Sequence, residues 1–347
     1  MTPHKSHSRE WLFCLLLCGL LLLVACGEDR TQVQLRGAIM GTTWQVSYIP
    51  TADVPIEERV FKAIDQELQA VERAMSTYRE DSEITAVNSA PVQQEIALSS
   101  AFLTVLRAAL QVGKQSGGAY DITVMPLVNI WGFGPGEPVT QPPEADRIAN
   151  LLADVGQQHL VLRANESTLS KSKSVTIDFS SLAKGYAVDR VALALEAMGV
   201  DDYLVEVGGE MKLSGYSVRG DLWRIAIEQP NVAARAVAVT IALSDKAVAT
   251  SGDYRNYFEA DGKRYSHTID PRTGYPVAHD LVSATVVHDS AMLADAWATA
   301  LLVLGAEAAA QIAQEQGLAV YFIRRIGDDF VHEHSAAFAT YLLTDDA

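Results

Sequence analysis

The predicted helices and strands of this chain are interleaved irregularly, and this order constrains the fold more than any other feature. Alternating apolar and polar residues predict half-buried strands, as at residues 42–49, whereas apolar residues at helical spacing predict amphipathic helices, as at residues 56–75. The regular strand-helix-strand repeat of a doubly wound sheet does not occur. We therefore predict an α+β fold of mixed helices and sheets. Duplicated subdomains with a cleft between them would suit this element order, although the order does not show them.

The same patterns assign most of the remaining chain. Helices are predicted at 99–115, with Ser99 as the N-cap, and at 146–152, 183–198, 291–304 and 306–316. Strands are predicted at 159–163, 169–178, 203–207, 223–228, 236–243, 281–288 and 319–324, the last being the final strand of the fold. Residues 129–143 are rich in Gly and Pro, which predicts a loop.

The N-terminus has the features of a secretory signal. Lys5 and Arg9 precede an apolar run over residues 11–25, which is shorter than the roughly 20 residues of a comfortable membrane span. Residues 23–26 read Leu-Val-Ala-Cys and resemble a lipobox, so we predict a signal peptide at 1–25 and lipidation of Cys26. An ordinary signal peptide with a chance cysteine is the alternative. Residues 26–36 are then a polar tether, and 37–347 form the globular domain.

Charge and cysteine content exclude several classes of function. The chain carries a formal charge of −16 and shows no basic stripe, which opposes binding to nucleic acid. Apart from Cys26, the cysteines lie in the predicted signal, so thiol nucleophiles and zinc-thiolate sites are excluded from the mature chain. No Gly-x-Gly-x-x-Gly or Walker motif is present, which argues against a Rossmann or P-loop nucleotide site.

Two Gly-rich clusters and one helix start are candidate binding segments. Residues 117–121 and 206–210 place glycines beside carboxylates, where a ligand could approach the backbone closely, although turn formation alone also explains them. Residues 178–186 run from a predicted strand into a helix. That junction offers free backbone N–H groups and Lys184 to an anionic ligand, and a capped helix with a solvated lysine is the alternative.

Two further clusters carry groups for proton transfer and metal binding. Residues 249–255 and 266–274 are densely polar and are predicted to lie on turns, with His267 on a strand beside them as a candidate proton acceptor. A lone histidine is more often structural. Asp295 and Thr299 are four residues apart and share one face of a helix, where two oxygens can converge on a hard cation. The alternative for Asp295 is an interaction with the helix dipole.

The motifs together resemble the FAD:protein FMN transferase family, also called ApbE. They occur in order between about residues 37 and 305. The segments that carry the resemblance are 40–42, 75–79, 81–84, 118–121, 131–134, 178–189, 207–210, 249–255, 267–276 and 294–299.

The resemblance implies an α+β fold that holds FAD in its cleft and needs Mg²⁺. FAD would be cleaved, AMP released, and FMN joined through a phosphoester to a Thr or Ser of another protein. Positions implied to contact FAD are Met40, Tyr78, Ala119, Tyr120, Asp121, Asp178, Lys184 and Ile269. Mg²⁺ would bind the backbone carbonyl of Ser181 together with Asp295 and Thr299. His267 is the candidate base for the acceptor hydroxyl, and Asp295 is the second residue expected to act in catalysis.

Two alternatives to this activity stay open. The chain could be an FAD pyrophosphatase that uses water as acceptor, or a non-catalytic flavin-binding lipoprotein. Family acceptors resemble a short motif ending in Ser/Thr-Gly-Ala-Thr/Ser in subunits of membrane redox complexes. The expected location is therefore the periplasmic face of the inner membrane, reached through the lipid anchor.

Overall fold

The computed structural model describes residues 30–134, 139–163, 165–230, 236–254 and 256–343. The predicted signal peptide and Cys26 lie outside these residues. From Gln32 onward the chain forms one compact unit. Among the described residues, no helix is both long enough and apolar enough to cross a membrane.

An antiparallel sheet of eight strands is the centre of this unit, in the order β1-β2-β6-β7-β10-β15-β16-β17. Its members are β1 (Val33–Ile39), β2 (Thr42–Tyr48), β6 (Tyr203–Val207), β7 (Glu210–Ser214), β10 (Lys246–Gly252), β15 (Leu281–His288), β16 (Ala319–Ile326) and β17 (Asp329–His334). Neighbouring strands come from distant parts of the chain, so the sheet is continuous across both halves of the sequence.

Helices cover one face of this sheet and enclose the largest hydrophobic core. They are α1 (Glu57–Met75), α2 (Glu83–Ser89), α3 (Ser100–Gln115), α6 (Ala183–Glu196), α7 (Ala291–Leu304) and α8 (Ala306–Gln316). Ser99 caps α3 as predicted, because its hydroxyl accepts a hydrogen bond from the Phe102 N–H at 3.1 Å. Helix α7 is apolar on nearly all sides, since it packs against α6, β10 and β15.

The opposite face of the sheet is covered by a hairpin of β8 (Trp223–Glu228) and β9 (Val237–Leu243), with Phe338 in the core between them. A third, smaller core surrounds Trp131 and joins α4 (Met125–Ile130) to α5 (Ala145–Leu152). The remaining strands are short: β3 (Ile96–Ala97), β4 (Leu160–Arg163), β5 (Thr168–Lys171), β11 (Tyr257–Ala260), β12 (Lys263–Ser266), β13 (Ile269–Asp270) and β14 (Tyr275–Pro276).

This architecture confirms the α+β class, and it corrects several details. Strand β1 begins at Val33, inside the segment predicted to be a tether, because Val33–Ile39 pairs along its whole length with β2. The predicted strand at 169–178 ends at Lys171, and Asp178 instead donates its N–H to the Ile122 carbonyl at 2.8 Å. β16 is not the final strand, since β17 follows it. The sheet is one continuous layer, so the expected duplication of subdomains stays a prediction.

Candidate active site

A cavity of about 730 Å³ opens beside the third core, where several loops and element ends meet. Its wall combines α4 and the residues before it, the start of α6, the ends of β7, β8 and β10, one face of α7, and the segment around His267. Eleven of the predicted site residues line it: Tyr78, Ala119, Tyr120, Asp121, Asp178, Ser181, Lys184, His267, Ile269, Asp295 and Thr299. The fold therefore brings together residues that are up to 221 positions apart in sequence.

Met40 is the predicted cavity residue that lies elsewhere. It occupies the turn between β1 and β2 with a left-handed backbone, φ 53°. Its side chain faces a separate shallow depression together with Gln69 and Glu72. Tyr78 lines the mouth of the cavity, where 78% of the residue is exposed.

Lys184 and two carboxylates form a buried charge cluster in the cavity wall. Lys184 Nζ lies 2.6 Å from Glu210 Oε1, and the Glu210 side chain is only 5% exposed. Asp295 is also buried, and its Oδ2 accepts a hydrogen bond from the Gly185 N–H at 3.2 Å. Helix α6, strand β7 and helix α7 each contribute one of the three charges.

Burial and mutual repulsion set the protonation of this cluster. Burial raises the pKa of Glu210 above its ordinary value, and the neighbouring charge of Asp295 adds to the shift. Burial likewise raises the pKa of Asp295, with Lys184 acting in the opposite direction. Burial alone would lower the pKa of Lys184, but the charges of Asp295 and Glu210 outweigh it and raise that pKa. Lys184 is therefore a stable cation, whereas burial raises the pKa of the two carboxyl groups although Lys184 opposes this shift.

Asp121 and Asp178 differ in how many of their carboxylate oxygens accept hydrogen bonds from the protein. Asp121 accepts from the Thr123 N–H at 2.8 Å and from the Gln157 N–H at 2.9 Å, so both its oxygens order the loops. Asp178 accepts from the Ser180 N–H at 2.6 Å through Oδ1, and its buried Oδ2 has no hydrogen-bond partner among the described residues. Burial raises the pKa of Asp178. Asp178 thus keeps an acceptor oxygen for a ligand in the cavity.

The predicted metal ligands converge on the same wall. Thr299 follows Asp295 by one turn of α7, and its hydroxyl lies 3.1 Å from the Ser251 hydroxyl. The Ser181 hydroxyl donates to the Tyr120 hydroxyl at 2.8 Å, and the Ser181 carbonyl is the oxygen that the family resemblance implies for the cation. All three donors are oxygens, as a hard cation requires. The described residues contain no group of three or more His, Cys, Asp or Glu suited to a metal, so the oxygens offered here are one carboxylate, one hydroxyl and one backbone carbonyl.

His267 lies in the bend between β12 and β13, and not on a strand as predicted. Its Nδ1 is 3.1 Å from the Asn256 carbonyl, and its ring packs edge-on against Phe133. Because a carbonyl can only accept, Nδ1 carries the proton, and Nε2 is the acceptor of the neutral ring. Burial lowers the pKa of His267, which favours this neutral form.

Three residues of the site lie in segments that the sequence indicated, but the sequence predicted no individual role for them. Glu210 belongs to a quoted glycine motif, but nothing in the sequence indicated that it would pair with Lys184. Thr250 and Ser251 were predicted to lie on turns, and they lie on β10, which pairs with both β7 and β15. The hydroxyl content of residues 249–255 was the available signal for Thr250 and Ser251.

Comparison with known proteins agrees with this arrangement. The sequence model of the ApbE family matches residues 40–322. The chain belongs to the ApbE family. A curated FAD:protein FMN transferase of Vibrio cholerae is 42% identical over 335 residues, covering 96% of this chain and 99% of that protein.

Other ApbE relatives extend the likeness in sequence and in structure. A curated FAD:protein FMN transferase of Haemophilus influenzae is 41% identical over 324 residues, covering 92% of this chain and 94% of that protein. The solved structure of the flavin transferase ApbE from Vibrio cholerae superposes with a TM-score of 0.85 at 40% identity. That likeness covers 90% of this chain and 100% of the solved chain.

Proposed function

We propose that this ApbE protein is an FAD:protein FMN transferase that cleaves FAD with Mg²⁺, releases AMP and joins FMN to a Ser or Thr hydroxyl of an acceptor protein. Two curated relatives carry that enzyme name at 42% and 41% identity over nearly the whole chain. The observation that carries the proposal is the cluster of Lys184, Glu210 and Asp295 in the wall of a cavity large enough for a nucleotide.

The charges of the cavity support the need for a divalent cation. Among the described residues that line it, Lys184 is the only Lys or Arg, whereas the acidic residues are Asp121, Asp178, Glu210, Glu228 and Asp295. An anionic pyrophosphate would be repelled by so many carboxylates unless a cation lay between them. Asp295, Thr299 and the Ser181 carbonyl offer oxygens for Mg²⁺, which typically binds one or two carboxylates together with substrate phosphates. When bound, Mg²⁺ would supply charge neutralisation on the pyrophosphate.

Each step of the transfer can be assigned to residues of the chain. Lys184 would hold a phosphate oxygen through its ammonium group, and the free Asp178 Oδ2 would accept a hydrogen bond from the nucleotide. His267 Nε2 would take the proton of the acceptor hydroxyl as its oxygen bonds to the FMN phosphorus. The bond between that phosphorus and the oxygen of AMP breaks, and AMP leaves with the bonding electrons. Positioning and charge stabilisation supply most of the acceleration in such reactions.

The location and acceptor are part of the same proposal. The lipobox-like residues 23–26 support an anchor at Cys26, which would hold the enzyme at the periplasmic face of the inner membrane. Acceptors there would be subunits of membrane redox complexes that carry a short Ser/Thr motif. A short exposed segment could deliver its hydroxyl to a cavity with a mouth lined by Tyr78.

The test is the ion dependence of AMP formation from FAD. Wild-type protein, FAD and an acceptor peptide with the Ser/Thr motif are incubated with Mg²⁺ or with EDTA, and AMP is measured by chromatography. We expect AMP only with Mg²⁺, and a large loss of AMP in Asp295→Asn. AMP formation at the same rate in EDTA would contradict the proposed role of the cation.

A further inference from the structure

Helices α6 and α7 are joined by one carboxylate that binds the first turn of α7. Asp189 of α6 accepts from the Ala291 N–H at 3.0 Å through Oδ1, and from the Met292 N–H at 3.1 Å and the Ser290 hydroxyl at 2.7 Å through Oδ2. The first N–H groups of a helix have no partner within the helix, so a carboxylate from another element can satisfy them. Lys212 Nζ, 3.3 Å from Oδ1, holds the same carboxylate from β7.

Gly185, one turn before Asp189 on the same face of α6, allows the two helices to touch. A Cβ at Gly185 would lie 2.2 Å from the Ala291 carbonyl oxygen and 2.8 Å from the Met292 Cα, so no side chain fits there. The Gly185 N–H also donates to Asp295 Oδ2. Gly185 and Asp189, on two successive turns of α6, therefore both contact the first turn of α7. We call these two residues the α6–α7 clasp.

The clasp fixes the position of the groups proposed to bind the cation and the phosphate. Lys184 precedes Gly185 directly on α6, and Asp295 and Thr299 lie on the first three turns of α7. A shift of α7 along its axis would change the distance between these groups, and coordination of Mg²⁺ tolerates little deviation from ideal geometry. Tyr78 and Ile269, proposed to contact FAD, lie outside α6 and α7, so we expect FAD binding to depend less on the position of α7.

We propose that Asp189 is a positioning residue, which sets the affinity of the Asp295–Thr299 site for a divalent cation through the position of α7. The inference rests on the proposed function, since it assigns that site to the cation. Asp189 is not among the residues that line the cavity. A purely structural capping role would lower stability and leave cation affinity unchanged.

The test compares Asp189→Asn with Ser99→Ala, which removes the N-cap of α3 and does not alter a residue of the cavity lining. The amide of the asparagine replaces one charged acceptor by a donor, so hydrogen bonds to the first turn of α7 are lost. The full chain is titrated with Mn²⁺ alone by electron paramagnetic resonance. Thermal unfolding and the KM for FAD are measured in parallel.

We expect Asp189→Asn to weaken Mn²⁺ binding by about tenfold, the lower end of the effect typical for residues that orient metal ligands. The KM for FAD should stay within about twofold of wild type. Ser99→Ala should lower the melting temperature and keep the wild-type affinity for Mn²⁺. Equal Mn²⁺ affinity in Asp189→Asn and wild type, with a lowered melting temperature, would overturn the proposal and leave a structural cap.

Two further comparisons cover the cases in which Asp189→Asn does not fold or the wild-type protein binds no Mn²⁺. Lys212→Met removes the lysine that holds Asp189 and should also weaken Mn²⁺ binding, by a smaller factor than Asp189→Asn. This variant replaces Asp189→Asn if Asp189→Asn does not fold. An unchanged affinity in a folded Lys212→Met would then count against the clasp. If the wild-type protein itself binds no Mn²⁺, the failure lies with the proposed function. If wild type binds Mn²⁺ and the clasp variants bind it equally well, only the clasp fails.

Discussion

Replacing Lys184 by methionine removes the cation from a buried cluster and should both destabilise the protein and slow transfer. Lys184 Nζ is 2.6 Å from Glu210 Oε1, and the Glu210 side chain is 5% exposed. Breaking a buried pair by removing one partner costs roughly 3–5 kcal/mol, because the remaining charge is left without compensation. The Lys184 side chain is 29% exposed, so water can partly compensate. We therefore expect the lower end, a loss of about 3 kcal/mol in the free energy of unfolding.

The pH dependence of this loss follows from the raised pKa values of Glu210 and Asp295. A carboxyl group with a raised pKa in the folded protein favours folding at low pH, and that contribution is lost as the pH rises through its folded pKa. Removing Lys184 raises both pKa values further, because Lys184 is the charge that lowers them. The variant should therefore be close to wild type at about pH 5 and clearly less stable at about pH 8.

Urea unfolding at the two pH values measures the effect, and a double variant separates stability from activity. Lys184→Met with Glu210→Gln removes both charges of the pair, so most of the lost stability should return. Transfer should stay about 10–100-fold below wild type, since the double variant still lacks the lysine contact to phosphate. Wild-type stability of Lys184→Met at both pH values would refute this account of the cluster.

Three other outcomes follow from the site and the N-terminus. His267→Asn should lower transfer by roughly 10²–10⁴-fold and keep the affinity for FAD. The rate of the wild-type enzyme should rise with pH, with a midpoint below about 6.5 because burial lowers the pKa of His267, and the variant should lack this rise. A variant with the wild-type pH profile would remove His267 as the base. Asp295→Asn should lose AMP formation but still bind FAD, as measured by fluorescence quenching, because the cation acts on charge in the transition state. Equal losses of AMP formation and of FAD binding would argue against that role. Cys26→Ser should give an uncleaved or soluble protein without acyl chains and with transfer activity intact, as fractionation and mass spectrometry can establish. An unacylated wild-type protein that is soluble in the periplasm would disprove lipidation.

Local sequence patterns correctly predicted elements whose conformation depends mainly on residues within the same element. The helical spacing of residues 56–75 gave a helix that differs from α1 by one residue, and Ser99 was recognised as a cap from its side chain alone. By contrast, β10 was missed because Lys246–Gly252 contains Ala, Ser and Gly, which favour strands weakly. Its conformation is imposed by pairing with β7 and β15, which come from distant parts of the chain.

In the candidate site too, relations within one element were predicted from the sequence, whereas contacts between elements were not. Asp295 and Thr299 were predicted to share a face because four residues make about one helical turn, a relation that exists within one element. The pairing of Lys184 with Glu210 joins different elements, and so does the contact of Asp189 with Ala291. Such contacts depend on how α6 packs on β7 and α7, which no local pattern contains. His267 was expected on a strand, and its bend is set by the short strands β12 and β13 on either side.

The central claim is that FMN from FAD ends on the acceptor hydroxyl, and one measurement tests it most directly. Protein, FAD and Mg²⁺ are incubated with an acceptor peptide, and with the same peptide in which alanine replaces the reactive Ser or Thr. Intact-mass spectrometry of the peptide and chromatography of AMP and FMN are performed on the same samples. We expect one FMN on the acceptor for each AMP released, and no flavin on the alanine peptide. Equal amounts of free FMN and AMP, with no flavin on the Ser or Thr peptide, would contradict the transferase assignment.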